Sequence, residues 1–425
     1  MQARVAHFAA AVFLAGLVAP VVTGGSEATE AADFLGRWDI TLAETGDTFR
    51  SSWLEVTESD GILSGKLLWR WGSVIKLKSA EVVGEELHAV RGEYYEDKPV
   101  DVVYRARLVD GKLVGSVKTP EGTVVRWTGI RSLEKSEVSG TWQLTGETPG
   151  RKITATLALS QKDGNVAGTY VTPGNREFPI RDGKLEGTKL TFSVPFQRPG
   201  QEAVSVSYSA EVRGDRLLGT ARAEGRTAVL EFTAERQRKW SQPVQIFDGK
   251  SLAGWGPRDA KRRFGWSVRE GAMVNAPPGD QDVVSEQQFR DFKLHVEFSL
   301  AERSNSGIYL RGRYELQLVD DYTRRPRTGV HGNCSIYSRI APSANASKPA
   351  NEWQTVEATL VGRWLTVVLN GETVMDNVHL DGITGGAVIP RGATINDEEA
   401  GGPLMFQGDH GLVRFRKVVV TPVAD

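Results

Sequence analysis

The run Asn305-Ser306-Gly307-Ile308-Tyr309-Leu310-Arg311-Gly312-Arg313-Tyr314-Glu315-Leu316-Gln317-Leu318-Val319-Asp320 alternates apolar and polar side chains about a central glycine. Successive side chains of a strand face opposite sides of a sheet, so each half of this run carries two faces. Ile308 and Leu310 share one face, and Tyr309 and Arg311 the other. After the Gly312 turn, Tyr314, Leu316 and Leu318 share a face, and Arg313, Glu315 and Gln317 the opposite one. Folded as a hairpin, the apolar faces become core. Tyr309, Arg311, Glu315 and Gln317 then collect on a polar and aromatic face suited to sugar hydroxyls.

The same short alternation runs through the rest of the chain, and upstream it repeats. Gly36-Arg37-Trp38-Asp39-Ile40-Thr41-Leu42 returns as Gly140-Thr141-Trp142-Gln143-Leu144-Thr145. Asp60-Gly61 returns as Asp163-Gly164, Gly65 as Gly168, Tyr104 as Tyr208, Leu113-Val114-Gly115 as Leu217-Leu218-Gly219, and Arg131 as Arg236. Matches held at nearly one offset mark a duplicated unit. Gly and Asp-Gly turns divide each copy into short runs such as Leu190-Thr191-Phe192-Ser193-Val194, the texture of hairpins. Helical periodicity is weak throughout. The expected fold is all-β: two repeated small antiparallel β-barrel or sandwich units over 32–133 and 134–238, then a third β-rich domain over 244–425. Arg-Lys-Trp-Ser-Gln-Pro at 238–243 reads as the linker, and Trp38 and Trp142 read as core plugs.

A length of 425 residues exceeds one ordinary core. With 52 Lys+Arg against 53 Asp+Glu and no long like-charge block, neither nucleic acid nor an anionic membrane surface is the expected partner. Arg4 and His7 precede an apolar stretch from Phe8 to Val22, so residues 1–31 read as a signal peptide and the protein as periplasmic or secreted. That stretch is short of the ~20 residues of a membrane helix, and no span is expected. Cys334 is the single cysteine. It excludes an internal disulfide and a zinc site of several thiolates, and reads as a buried small hydrophobe.

Further pieces stand in order along the third domain. They are Phe247-Asp248-Gly249-Lys250-Ser251-Leu252 with Trp255, then Trp266-Ser267-Val268, then Phe289-Arg290-Asp291-Phe292-Lys293-Leu294-His295-Val296-Glu297-Phe298. After the hairpin come Asn345-Ala346-Ser347-Lys348-Pro349, Asn351-Glu352-Trp353-Gln354-Thr355, Leu369-Asn370-Gly371, Gly402-Pro403-Leu404-Met405-Phe406-Gln407 and His410-Gly411. Taken together, the series resembles the 3-keto-disaccharide hydrolase family over about 180 residues. The resemblance implies a concanavalin-like jelly-roll sandwich and cleavage of glycosides already oxidised to a ketone at C3. Two departures stand out. Gly332-Asn333-Cys334-Ser335 replaces the usual segment after the Glu-x-Gln strand, and Gly408 separates Gln407 from Asp409, which bears on the orientation of His410.

A ketone at C3 acidifies the proton on C2, and its removal lets the C1 substituent leave by β-elimination. Such chemistry requires a general base at C2 and a group that stabilises the enolate oxygen. Glu315 is the expected base, His410 a proton shuttle, and Arg311 the partner of the keto oxygen. Asn305, Tyr309, Gln317, Lys348 and Gln407 are the expected substrate binders. No cofactor is assigned; a divalent metal on Glu315, Asp320 and His410 is the alternative use of those side chains. Paired carboxylates of a two-carboxylate glycosidase are missing. The rival reading from another class is a non-catalytic, lectin-like carbohydrate-binding protein. With no dinucleotide fingerprint in the chain, a separate sugar 3-dehydrogenase is the expected supplier of keto substrate.

Overall fold

The computed structural model describes residues 30–42, 52–69, 72–132, 136–148, 151–197, 200, 202–277, 280–322, 329–388 and 400–424. The charged and apolar parts of the expected leader lie outside them. Apart from a single 3-10 turn at Ala31–Phe34, every regular element among the described residues is a strand. No helix among them is long and apolar enough to cross a membrane.

The first nine-stranded sheet starts at Gly36–Leu42 and ends at Val124–Arg131, and these two strands pair with each other, Trp38 opposite Arg131. The second sheet repeats that order from Gly140–Thr148 to Val229–Arg236, with Trp142 opposite Arg236. Its Asn165–Val171 strand pairs both Arg151–Lys162 and Arg181–Glu186, so the ring closes into a barrel. Asp60-Gly61, Asp110-Gly111 and Asp163-Gly164 all adopt positive φ in two-residue hairpins, the turn geometry whose twist suits antiparallel strands.

The repeat is reproduced down to single contacts. Leu77 N donates to Gly65 O at 2.9 Å, and Ile180 N to Gly168 O at 2.9 Å. A Cβ on Gly65 or Gly168 would stand 2.0 Å from Glu55 O or Ala158 O, so neither strand crossing admits a side chain. The plugs match as well. Trp38 Nε1 donates to Phe34 O at 2.8 Å and Trp142 Nε1 to Val138 O at 2.9 Å. The guanidinium groups of Arg131 and Arg236 cover these indoles at 4.3 and 4.4 Å. Both tryptophans are buried in their own barrel cores, as plugs should be.

The remaining strands form two sheets packed face to face. Phe292–Leu300, Gln354–Val361, Trp364–Leu369 and Val413–Pro422 belong to the eight-stranded sheet. Trp255–Pro257, Val283–Phe289, Gly402–Phe406, Asn305–Leu310 and Tyr314–Val319 form the five-stranded one. Leu294, Val296 and Phe298 from the larger sheet meet Ile308, Leu310, Leu316, Leu318 and Phe406 from the smaller in one buried cluster. Cys334 is buried in the same cluster. Its thiol is pushed well above the ordinary range by burial.

Trp240 of the linker bridges to Val423, and Ser241 N donates to Pro422 O at 2.9 Å. The second barrel touches the sandwich through two Arg216–Asp376 hydrogen bonds of 2.9 and 3.1 Å, and Asn377 Nδ2 donates to Arg213 O at 3.2 Å.

Candidate active site

The site is built on the outer face of the five-stranded sheet. In the hairpin register Tyr309 stands opposite Glu315, Gly307 opposite Gln317 and Asn305 opposite Val319. Ile308, Leu310, Leu316 and Leu318 are consumed by the core, so alternation places Asn305, Tyr309, Glu315 and Gln317 together on the other face. Tyr309 also pairs with Met405, which carries Gln407 onto the same face, and Gln407 N donates to Gly307 O at 2.9 Å. Gly307 leaves room for the acid, since a Cβ there would lie 2.9 Å from Glu315 Oε1.

The Glu315 carboxyl is buried, and its pKa is raised to about 7, chiefly because burial penalises its charged form. The Tyr309 hydroxyl donates to Glu315 Oε2 at 2.9 Å and opposes that rise. Burial and the adjacent carboxylate push the Tyr309 phenol well above its ordinary value, so it stays a donor. Its oxygen also lies 3.0 Å from Gly385 O, and Glu315 N donates to Thr384 Oγ1 at 2.9 Å.

His410 approaches from the loop after Gly402–Phe406. It is half exposed, and its Nδ1 hydrogen-bonds Asp409 Oδ1. That bond, with the charges of Asp409, Glu315 and Asp282, raises the imidazole pKa and favours imidazolium. Asp282, itself buried and raised by desolvation, accepts from Arg258 Nη1 at 2.8 Å and from Gly408 N at 3.1 Å. Gly408 is thus part of the site's frame. A Cβ there would stand 2.2 Å from Gln281 O, so the extra residue before Asp409 is compatible only with glycine. Among the described residues, Asn305 Oδ1, Gln317 Oε1 and Gln407 Oε1 are buried without a hydrogen-bond partner. These three acceptors stand on the sheet that carries Glu315, where a ligand's hydroxyls would satisfy them.

Three expected residues do not join this group. Arg311 lies in the left-handed region at φ 52°, where the strand has ended and alternation no longer applies. Its side chain is fully buried, paired with Asp291 at 2.8 Å and donating to Gly362 O at 2.7 Å. It locks the sheets together instead of meeting a keto oxygen. Lys348 is exposed, with Nζ donating to Trp353 O at 3.2 Å. Asp320 Oδ2 accepts from Arg303 N at 2.8 Å and caps a turn. With Asp320 so engaged, the trio Glu315, Asp320 and His410 does not converge. No group of three or more His, Cys, Asp or Glu able to hold a metal occurs among the described residues.

Sequence reasoning missed Arg258, Asp282 and the 384–386 segment. Asp409 was given no role either, although its place beside His410 in the sequence was a signal that could have found it. Asp282 and Arg258 lie just outside two other strands of the sheet, before Val283–Phe289 and after Trp255–Pro257, and carry no local motif.

A buried acid and an imidazole thus stand at one polar sheet face, and the family comparison gives the class of protein, a carbohydrate-active one. Residues 242–421 match the model of the 3-keto-alpha-glucoside-1,2-lyase-like domain, so the C-terminal sandwich is a domain of that family. Two Parabacteroides distasonis crystal structures, provisionally named as glycosyl hydrolases, are similar. One is 24% identical, covering 42% of this chain and 83% of its own, with a TM-score of 0.36. The other is 20% identical, covering 43% and 100%, with a TM-score of 0.34. A Trypanosoma rangeli sialidase bound to sialic acid is 9% identical over 91% of this chain and 89% of its own, with a TM-score of 0.24. No curated protein matches the chain.

Proposed function

We propose that the protein cleaves 3-keto-glycosides, with Glu315 as the base that removes the C2 proton. The observation that carries this reading is a buried carboxyl with a pKa of about 7, held by the Tyr309 hydroxyl and within reach of the His410 charge. A base whose pKa lies near the working pH is available in ionised form and still basic enough to act.

The steps balance as follows. The Glu315 carboxylate takes the proton from C2, and the C2–H electrons form an enolate whose charge rests on the C3 oxygen. Collapse of the enolate forms the C1–C2 double bond and breaks the bond from C1 to the glycosidic oxygen. That oxygen takes a proton from the His410 imidazolium, the form that the bond to Asp409 favours. Addition of water across the new double bond returns a 3-keto sugar and completes a net hydrolysis. Arg258, partly exposed and tied to Asp282 at 2.8 Å, lies close enough to act on the Tyr309 phenol and supplies a guanidinium for the enolate oxygen. The amides of Asn305, Gln317 and Gln407 bind sugar hydroxyls.

The test compares release of product from a 3-keto-glucoside and from its unoxidised parent, using wild type and Glu315→Gln. Turnover of the keto substrate alone, reduced ~10³-fold or more in the variant, is expected for loss of an essential base. Sugar binding with no turnover of either compound leaves a lectin-like module instead.

A further inference from the structure

The first β unit reaches into the core of the sandwich. Trp53, from the strand Ser52–Ser59, is buried in the same cluster as Leu316 and Phe406. Its indole Nε1 donates to Ile383 O at 3.1 Å. The Arg339 guanidinium covers the ring at 4.3 Å, while its Nη2 donates to Asp381 O at 2.8 Å. Gly382 fits between these groups: a Cβ there would meet Arg37 Nη1 at 3.0 Å and both Arg339 Nη1 and Trp53 Cε2 at 3.2 Å. Residues 381–383 are therefore clamped between the first unit and Arg339.

The next three residues touch the proposed base and its partner. Thr384 Oγ1 accepts from Glu315 N at 2.9 Å, and Gly385 O lies 3.0 Å from the Tyr309 hydroxyl. A Cβ on Gly386 would stand 3.0 Å from the same hydroxyl, so the segment lies directly against Tyr309. Ile383 and Thr384 are both buried and help exclude water from this side of the sheet.

We infer that Trp53 is a positioning residue: through Ile383 O it fixes the 383–386 segment that holds Tyr309 and shields Glu315. The first β unit is then a structural part of the active centre and not a separate binding module. The inference rests on the reading of Glu315 as the base. Loss of the indole N–H leaves Ile383 O unpaired in the interior, and the segment shifts to find another donor. Water then reaches Glu315, and the influence that raises its pKa weakens.

The experiment uses the full chain with Trp53→Phe, and Trp142→Phe, which loses a buried indole of the second barrel, as the control. kcat and KM on a 3-keto-glucoside are measured across pH. The Glu315 carboxyl is titrated by carbon-13 NMR of glutamate-labelled protein, assigned with Glu315→Gln. In Trp53→Phe the expected result is a fall in kcat on the order of tenfold with KM little changed, as for a displaced catalytic group. The Glu315 midpoint falls from about 7 toward the ordinary carboxylate range. Trp142→Phe leaves both readouts at wild-type values. Wild-type kcat and midpoint in Trp53→Phe, or equal losses in the two variants, overturn the inference. Thr384→Val keeps the question open to test if Trp53→Phe does not fold: it removes the segment's hold on Glu315 N and must move the midpoint. An unchanged midpoint there also overturns it. If wild type turns over no 3-keto-glucoside, the reaction is wrong, while the titration still decides the positioning.

Discussion

At Glu315 two influences oppose each other: burial raises the carboxyl's pKa, and the Tyr309 hydroxyl, donating at 2.9 Å, lowers it. Removing the donor in Tyr309→Phe leaves burial unopposed. The acid limb of the kcat/KM profile should then move upward by roughly one pH unit, and a downward shift or none would refute the assignment. The other limb belongs to His410, whose pKa is raised first of all by its bond to Asp409. Asp409→Asn should bring the basic limb down toward the usual histidine range, narrowing the profile from the alkaline side. The same burial has a cost in stability. The folded pKa of about 7 exceeds the reference 4.5, so Glu315 binds its proton more tightly in the folded state. Its contribution is fully present below about pH 4.5 and is lost as pH rises through about 7. That difference corresponds to about 3 kcal/mol. Glu315→Gln should be more stable than wild type to urea at pH 8.5 and show no such gain at pH 4. Equal stability at both pH values would mean that the carboxyl is hydrated.

The element scale shows why some of this was readable. A barrel repeat is legible because the positions it needs cannot drift: Gly65 and Gly168 sit where a Cβ would strike a carbonyl, and Trp38 and Trp142 lie opposite their arginines. Period two likewise gathered Tyr309, Glu315 and Gln317, because the register of the hairpin fixes the face of every residue in it. It failed at Arg311, where the chain turns left-handed after Leu310 and the alternation ends. It was silent on Asp282, which only the lateral order of the sheet brings near His410, and on Arg258, which pairs with Asp282. The plugs permit a test of the repeat itself. Trp142→Ala removes a fully buried indole under Arg236 and should cost about 3–5 kcal/mol in the second barrel. A fall of less than about 1 kcal/mol in urea unfolding would show that the indole is not the plug.

For the whole molecule, the proposed reaction sets a condition that no residue in the chain meets. The C2 proton is acidic only when C3 is a ketone, and making that ketone removes two electrons and two protons from the C3 carbinol. The sequence has neither a Gly-rich dinucleotide fingerprint nor a set of cysteines for an iron–sulfur centre, Cys334 being alone. A separate dehydrogenase acting at C3 is therefore the expected upstream step. With a plain glucoside the protein alone should release no aglycone. Adding a sugar 3-dehydrogenase and an electron acceptor should start release, and Glu315→Gln should abolish it while the keto sugar accumulates. Accumulation is the informative half of this measurement, because it locates the block after oxidation and before C1–O cleavage. Release from the unoxidised glucoside at a comparable rate would reject the enolate route: cleavage would then proceed at C1 without an acidic C2 proton, and the buried Glu315 would have to serve another role.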